Sequence, residues 1–201
     1  MSGRPARSLV TGILLAAGSG SRFGGGKLLH PLADGTPIGV AALRNLRQAL
    51  SRVVVVVRPG DAALAACFAR EGVPVIECAE ATEGMGHSLA AAVRAQPDAP
   101  GWVVALGDMP RVAARSIEAV IAALDTGARI AVPMYHGKRG HPVGFSASCR
   151  EDLLALRGDA GARSVLQRYA AEVVTVEVDD PGILQDVDTA ADLETLARPY
   201  P

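Results

Sequence analysis

The chain has no surplus of charge of either sign: 20 lysines and arginines stand against 21 aspartates and glutamates in 201 residues, and no run of basic residues occurs. Without a cationic face there is no electrostatic footprint for nucleic acid or an anionic membrane, so any phosphate must be bound locally. Cysteine is scarce as well. Cys67, Cys78 and Cys149 are odd in number, widely spaced and without a CxxC pair, which argues against a disulfide framework and a zinc site and predicts reduced thiols. No apolar run approaches membrane-spanning length, and the leading MSGRPARSLV is polar, without the apolar centre and cleavage site of a signal peptide; the expected location is cytoplasmic. Repeats, linkers and low-complexity tracts are missing too, and the length predicts one domain over residues 1–201. No serine sits in a G-x-S-x-G elbow and no cysteine has an obvious histidine partner, so covalent catalysis is not expected.

What the sequence does contain is an alternation, with 49% hydrophobic residues to build a core. Apolar, β-branched runs predict strands at Ser8–Leu15, Arg52–Arg58, Val73–Glu77, Trp102–Leu106, Arg129–Met134 and Val173–Val178. Amphipathic, alanine-rich stretches between them predict helices at Ile38–Leu50, Asp61–Glu71, His87–Ala95, Val112–Asp125, Cys149–Leu156, Ala162–Tyr169 and Ala190–Leu196. Pro37 before a helix, and Gly72 and Gly127 after helices, agree with boundary preferences. A β-α-β succession favours an α/β fold with three layers, α/β/α, around a mostly parallel sheet, whose ligands bind beyond the carboxyl ends of the strands. The alternation loosens over His136–Phe145, HGKRGHPVGF, which reads as a loop and hairpin laid over the sheet edge.

The first predicted strand runs into LLAAGSGSRFGGGKLL, with five glycines from Gly18 to Gly26 and then Lys27. A dinucleotide fingerprint, G-x-G-x-x-G, fits Gly18 and Gly20 but fails at Phe23. A Walker A loop fails at Ser21, where its first glycine belongs, and at Leu28, where its magnesium-binding hydroxyl belongs. What remains is A-A-G-x-G-x-R-x-G-x-x-K. Glycines let main-chain N–H groups close on phosphate oxygens, and Arg22 and Lys27 offset the charge of a triphosphate. The plainer alternative is a glycine-rich turn with surface cations.

Other motifs each have a chemical and a structural reading. VVALGDMP puts Asp108 just past a buried strand, facing the crevice, where a hard oxygen suits magnesium on a triphosphate; it could also cap the following helix. In DVDTAADL, Asp188 and Thr189 could start the last helix with Asp192 in its first turn, which leaves Asp186 as the freer metal candidate and Asp188 as its alternative. TEGMGHSLAAAV is a glycine-bracketed turn in which Ser88 could cap a helix. His136 and His141, five apart on a loop, lack a third ligand for zinc. GDAGAR could add an anion site at a helix start, or be a plain start.

LAAGSGSRFGGGKLL, TEGMGHSLAAAV, LGDMP, RGHPVGFS, GDAGARSVL and DVDTAADL, in this order and across nearly the whole chain, resemble the nucleotidyltransferases that make molybdenum cofactor dinucleotides, most closely the molybdenum cofactor cytidylyltransferases. The resemblance implies a Rossmann-like nucleotidyltransferase fold. It implies that Ala16, Ala17, Gly18, Ser19, Gly20, Arg22 and Lys27, with Gly84, Met85, Gly86 and Ser88 against the base and ribose, bind the nucleotide. Arg22, Lys27 and Asp108 would be catalytic, and Asp108 and Asp186 (or Asp188) would hold Mg2+, with Mn2+ as the alternative ion. Gly140, His141, Pro142 and Phe145 would border the acceptor, with Lys138 and Arg139 either approaching its phosphate or merely solvating the loop. The implied reaction transfers CMP from CTP to the phosphate of molybdopterin or its molybdenum-loaded form, releasing pyrophosphate. The implied partners are CTP, a molybdopterin-type substrate, and a receiving molybdoenzyme or its chaperone, with no nucleic acid and no membrane. Guanylyl-transferring relatives carry two adjacent glycines where this chain has Ala17 and Gly18, so the AAG form resembles the cytidylyl branch. Guanylyl or other nucleotidyl transfer to a sugar phosphate, a non-catalytic nucleotide-binding module and an NAD-dependent oxidoreductase are the competing readings, the last opposed by Phe23.

Overall fold

Five consecutive valines, Val53–Val57, show why a strand forms in the interior of this chain's sheet: their β-branched side chains are stiff and favour the pleated backbone, and the run is buried on both faces. The computed structural model, which describes residues 8–18, 20, 23, 25–189 and 191–193, places them in strand β2. In chain order the elements are β1 (Thr11–Leu15), α1 (Ile38–Ala49), β2 (Val53–Val57), α2 (Ala62–Arg70), β3 (Val75–Glu77), α3 (Met85–Arg94), β4 (Gly101–Leu106), α4 (Ala114–Asp125), β5 (Ile130–Tyr135), β6 (Lys138–Arg139), β7 (Val143–Ser146), α5 (Arg150–Leu154), α6 (Arg163–Arg168) and β8 (Val173–Glu177). Of the helix expected at Ala190–Leu196, only 191–193 lie within the described residues, and they are helical.

The strands form one sheet in the order β3-β2-β1-β4-β7-β5-β6, with β8 also paired to β5. β3, β2, β1 and β4 are mutually parallel, as are β5 and β8. Strand alternation divides the core in two. Val53, Val55 and Val57 face α1, α2 and α4, through Leu43, Leu46, Phe68, Ile117 and Val120. Val54 and Val56 face α3, α5 and α6, through Leu89, Val93, Leu153 and Val165. Each such side chain, taken out of water, contributes about 1.5–3 kcal/mol, so the sheet is fixed from both sides in the expected three-layer α/β/α arrangement. Trp102, the sole tryptophan, is completely enclosed on β4, opposite Thr11 of β1 and Phe145 of β7.

One expectation is corrected. The hairpin expected after β5 is present, Lys138–Arg139 turning back on Met134–Tyr135 at the end of the sheet, but Val143–Ser146 is not laid over that edge: it enters the middle of the sheet, antiparallel to both β4 and β5. The glycine that suggested a loop is what admits it. A Cβ on Gly144 would lie 2.7 Å from Val120 Cγ1 and 3.0 Å from Leu124 Cδ1, so its bare backbone lets α4 pack on the strand while Val143 and Phe145 fill the opposite core.

Candidate functional site

β1, β2 and β4 end side by side, and the residues that follow each enclose a cavity of about 380 Å3. From β1 come Ala16, Ala17, Gly18, Gly20, Gly26 and Lys27; from β2, Arg58 and Asp61; from the turn before α3 and α3 itself, Thr82, Gly84, Met85 and Ser88; from β4, Asp108. Ser19, Arg22 and Gly24 lie outside the described residues.

The glycine loop is folded on itself. Gly20 O accepts hydrogen bonds from Phe23 N (2.9 Å) and Gly25 N (3.2 Å), and the Phe23 ring meets the His30 ring edge-on at 5.3 Å. Phe23, which breaks the dinucleotide fingerprint, thus anchors the loop. Lys27 starts a short 3-10 turn whose next residue, Leu28, is buried against α1. That anchor holds the lysine over the strand ends. Its Nζ donates to Asp108 Oδ2 (2.8 Å) and to Asp188 Oδ1 (3.2 Å). Burial pulls the Lys27 pKa down, but the hydrogen bond and charge of Asp108, then those of Asp188, outweigh it and leave the pKa raised above 10.5.

Asp188 is therefore the carboxylate that shares a cation with Asp108, whereas Asp186 lies where its charge is felt by His141. The DVDT turn is held by Asp192, whose Oδ2 accepts from Asp188 N (2.9 Å), Thr189 N (2.6 Å) and Thr189 Oγ1 (2.9 Å). Val187 N donates to Asp108 O (2.9 Å), which ties this turn to the end of β4. Two hard carboxylate oxygens converging on one cation fit a magnesium-type ion that completes its shell with substrate phosphates. Among the described residues no group of three or more His, Cys, Asp or Glu forms a self-sufficient cage.

α3 starts at Met85, two residues before the helix expected from the sequence, so Ser88 lies inside it and does not cap it. Its side chain is enclosed, lines the cavity beside the Cys78 thiol, and its Oγ has no nitrogen or oxygen partner. Burial raises the Cys78 pKa, so that thiol stays protonated. The loop before α6 closes this end. Gly86 N donates to Gly158 O (2.8 Å), so Gly86 holds this loop by its backbone and is not among the residues that line the cavity. Side chains at Gly84 and Gly86 would run into the backbone of Arg157–Asp159, and Gly84 holds φ +129°. Asp159 lines the cavity; this segment, which the sequence leaves as an anion site at a helix start or a plain start, adds an acidic residue to the wall.

The expected acceptor residues divide. Gly140 and His141 lie against Ile183, with His141 N donating to its carbonyl (2.9 Å). Desolvation lowers the His141 pKa despite the charges of Asp108 and Asp186, and its Nδ1 is buried without a partner. Pro142 is buried, and Phe145 has no exposed surface: it is a core side chain of β7 and presents no ring to a second substrate. Lys138 and Arg139 are exposed on the hairpin. Arg58, Asp61, Thr82 and Asp159 were not anticipated. For the first two the signal existed, because they follow directly on β2, and ligands gather beyond strand ends; Arg58 and Asp61 pair loosely at 3.6 Å.

Comparison with known proteins agrees with this geometry. The purine catabolism protein PucB of Bacillus subtilis (strain 168) is 33% identical, over 94% of this chain and 96% of its own length. The nicotine blue oxidoreductase of Paenarthrobacter nicotinovorans is 31% identical, over 93% and 96%, and the molybdenum cofactor cytidylyltransferase of Escherichia coli (strain K12) 26% identical, over 96% and 98%. Among solved structures, Rv0371c of Mycobacterium tuberculosis H37Rv superimposes with a TM-score of 0.79 at 33% identity, covering 94% of this chain and 97% of that one. Its complex with manganese superimposes with a TM-score of 0.74 at 31% identity, over 94% and 97%. Residues 12–173 match the MobA-like NTP transferase domain. With the strand ends, glycine loop and paired carboxylates so arranged, the chain belongs to the MobA-like NTP transferase family and is a nucleotidyltransferase.

Proposed function

We propose that this enzyme transfers CMP from CTP to the terminal phosphate of a molybdopterin-type cofactor in the cytoplasm. The single observation that carries the reading is Lys27 bridging Asp108 and Asp188 at the rim of the cavity. An acceptor phosphate oxygen attacks the α-phosphorus, forming the new P–O bond while the bond to the β-phosphate oxygen breaks and pyrophosphate leaves. Such a reaction asks the protein for positioning and charge stabilisation, with no covalent intermediate on the chain. A divalent ion, Mg2+ or Mn2+, would be held by Asp108 and Asp188, with Asp186 the second candidate, and would supply charge to the phosphates. Lys27, exchanging carboxylates for phosphate oxygens, and Arg22 would stabilise the charge that builds on the α-phosphate and pyrophosphate. The glycine-loop amides would fix the phosphate chain, and Ser88 Oγ would meet the base or ribose. His141, on the Asp186 side, would border the acceptor.

The choice of cytidine is supported by Ala17 in the AAG sequence and by likeness to the Escherichia coli cytidylyltransferase. Incubation with a divalent ion and each of CTP, GTP, ATP and UTP, with and without molybdopterin, tests it by pyrophosphate release. Release with CTP and molybdopterin alone is the expected result. Equal release from all four, or release only with a sugar phosphate, would replace the named substrates; nucleotide binding without release would favour a binding module.

A further inference from the structure

Asp180 is the most deeply buried carboxylate among the described residues, 3% exposed, and no step above uses it. A charge taken out of water costs several kcal/mol unless its lone pairs are satisfied. Here they are, by three donors from two segments. Oδ2 accepts from Ala113 N (2.8 Å) and Ser116 Oγ (2.7 Å), at the start of α4, and Oδ1 accepts from Gly182 N (2.9 Å). One oxygen therefore serves the helix and the other serves the turn Pro181–Leu184.

That turn touches the segments that deliver Asp108 and His141. Gly182 lies so close to the Arg111 carbonyl that no Cβ fits between them, which locks the turn to the strand exit carrying Asp108. Ile183 O accepts from His141 N (2.9 Å), and Gly140 packs against it with the same absence of room. Beyond the turn, Val187 N reaches Asp108 O (2.9 Å) and Asp188 reaches Lys27. The segment carrying Asp186 and Asp188 is thus pinned at its start by Asp180 and at Val187 by Asp108.

We infer that Asp180 is a positioning residue, whose Oδ1 hydrogen bond to Gly182 sets where Asp186 and Asp188 stand relative to Asp108. Its effect is transmitted through the turn, so it should govern the divalent site more than the grip on the nucleotide. The inference rests on the nucleotidyl-transfer reading above. In the test, the full chain carrying Asp180→Asn, Asp180→Ser or Ser116→Ala is titrated with Mn2+ in the presence of a non-hydrolysable CTP analogue, free Mn2+ being read by electron paramagnetic resonance. Melting temperature, and kcat and KM for pyrophosphate release, are measured alongside. Asp180→Asn replaces one acceptor oxygen by a donor. The expected result is Mn2+ binding weakened about tenfold or more, a fall in kcat of similar size, and a nucleotide KM within about twofold. Ser116→Ala, which removes only a helix-side bond, should lower the melting temperature and leave Mn2+ binding unchanged. If Asp180→Asn shows no cooperative melt, Asp180→Ser takes its place, since its single, shorter hydroxyl cannot accept from both α4 and Gly182. Wild-type Mn2+ binding in the folded Asp180 variant, or equal weakening in Ser116→Ala, would overturn the inference. If the wild type itself neither binds Mn2+ with nucleotide nor releases pyrophosphate, the functional reading falls instead.

Discussion

The Lys27 ammonium occupies the point on which Asp108 and Asp188 converge, which is the place of the divalent ion in the proposed function. Competition follows, because ion and ammonium cannot share that point. Lys27→Met should therefore bind Mn2+ more tightly than wild type when nucleotide is absent, as titration with resonance detection would show. The same variant should lose about 10²–10³ in turnover, the scale seen when one preorganised charge-stabilising donor is removed. Its fold should be little affected, since both carboxylates remain partly hydrated; wild-type pyrophosphate release would refute the catalytic role. The pH dependence has a definite sign. A pKa raised above 10.5 means the Lys27 pairs stabilise the fold fully below that value and lose their contribution as pH climbs through the raised one. Denaturant midpoints should therefore fall above about pH 10.5 more steeply for wild type than for Lys27→Met, whose curve lacks this titration.

At the scale of elements, β7 is the strand that close packing makes possible. Gly144→Val would drive two methyl groups into Val120 and Leu124 of α4, and overpacking of this kind costs about 1–3 kcal/mol; thermal melting should report the loss. This strand also shows what could be read in advance. The valines of β2, the apolar VVAL of β4 and the IAVPM of β5 declare themselves by composition, because a strand buried on both faces needs no partner to be recognised. Val143–Ser146 is short and glycine-interrupted, and its place depends on the contour of a helix that precedes it by some twenty residues, information that no local pattern holds. The site divides in the same way. Asp108 and the start of the glycine loop are legible because they leave strand ends, and Lys27 because it closes that loop. The sequence favours Asp186 over Asp188, since local pattern holds no information on which of two neighbouring carboxylates turns towards a lysine 161 residues away. Phe145 lies in a motif that suggests the acceptor pocket, but its ring belongs to the core, and the cavity-lining Asp159 comes from a loop whose docking on Gly84 and Gly86 is wholly tertiary.

For the whole molecule, the sheet order places β1 between its parallel neighbours β2 and β4, with layers of helices on both sides. Local openings therefore have to start elsewhere. Amide exchange should be slowest in β1, β2 and β4, where every residue pair is covered from both faces, and faster in β3 and β6, which end the sheet. Equal protection in β3 and β1 would contradict that ranking. Trp102 lies at the centre of this protected region, without exposed surface and between Thr11 and Phe145. Being the sole indole, it makes the chain its own optical gauge: emission should be blue-shifted when native, and should move to the red in one step with global unfolding. Because it is not among the residues lining the cavity, nucleotide should leave its colour unchanged while raising the denaturant concentration at which the shift occurs, so that a single spectrum separates folding from occupancy.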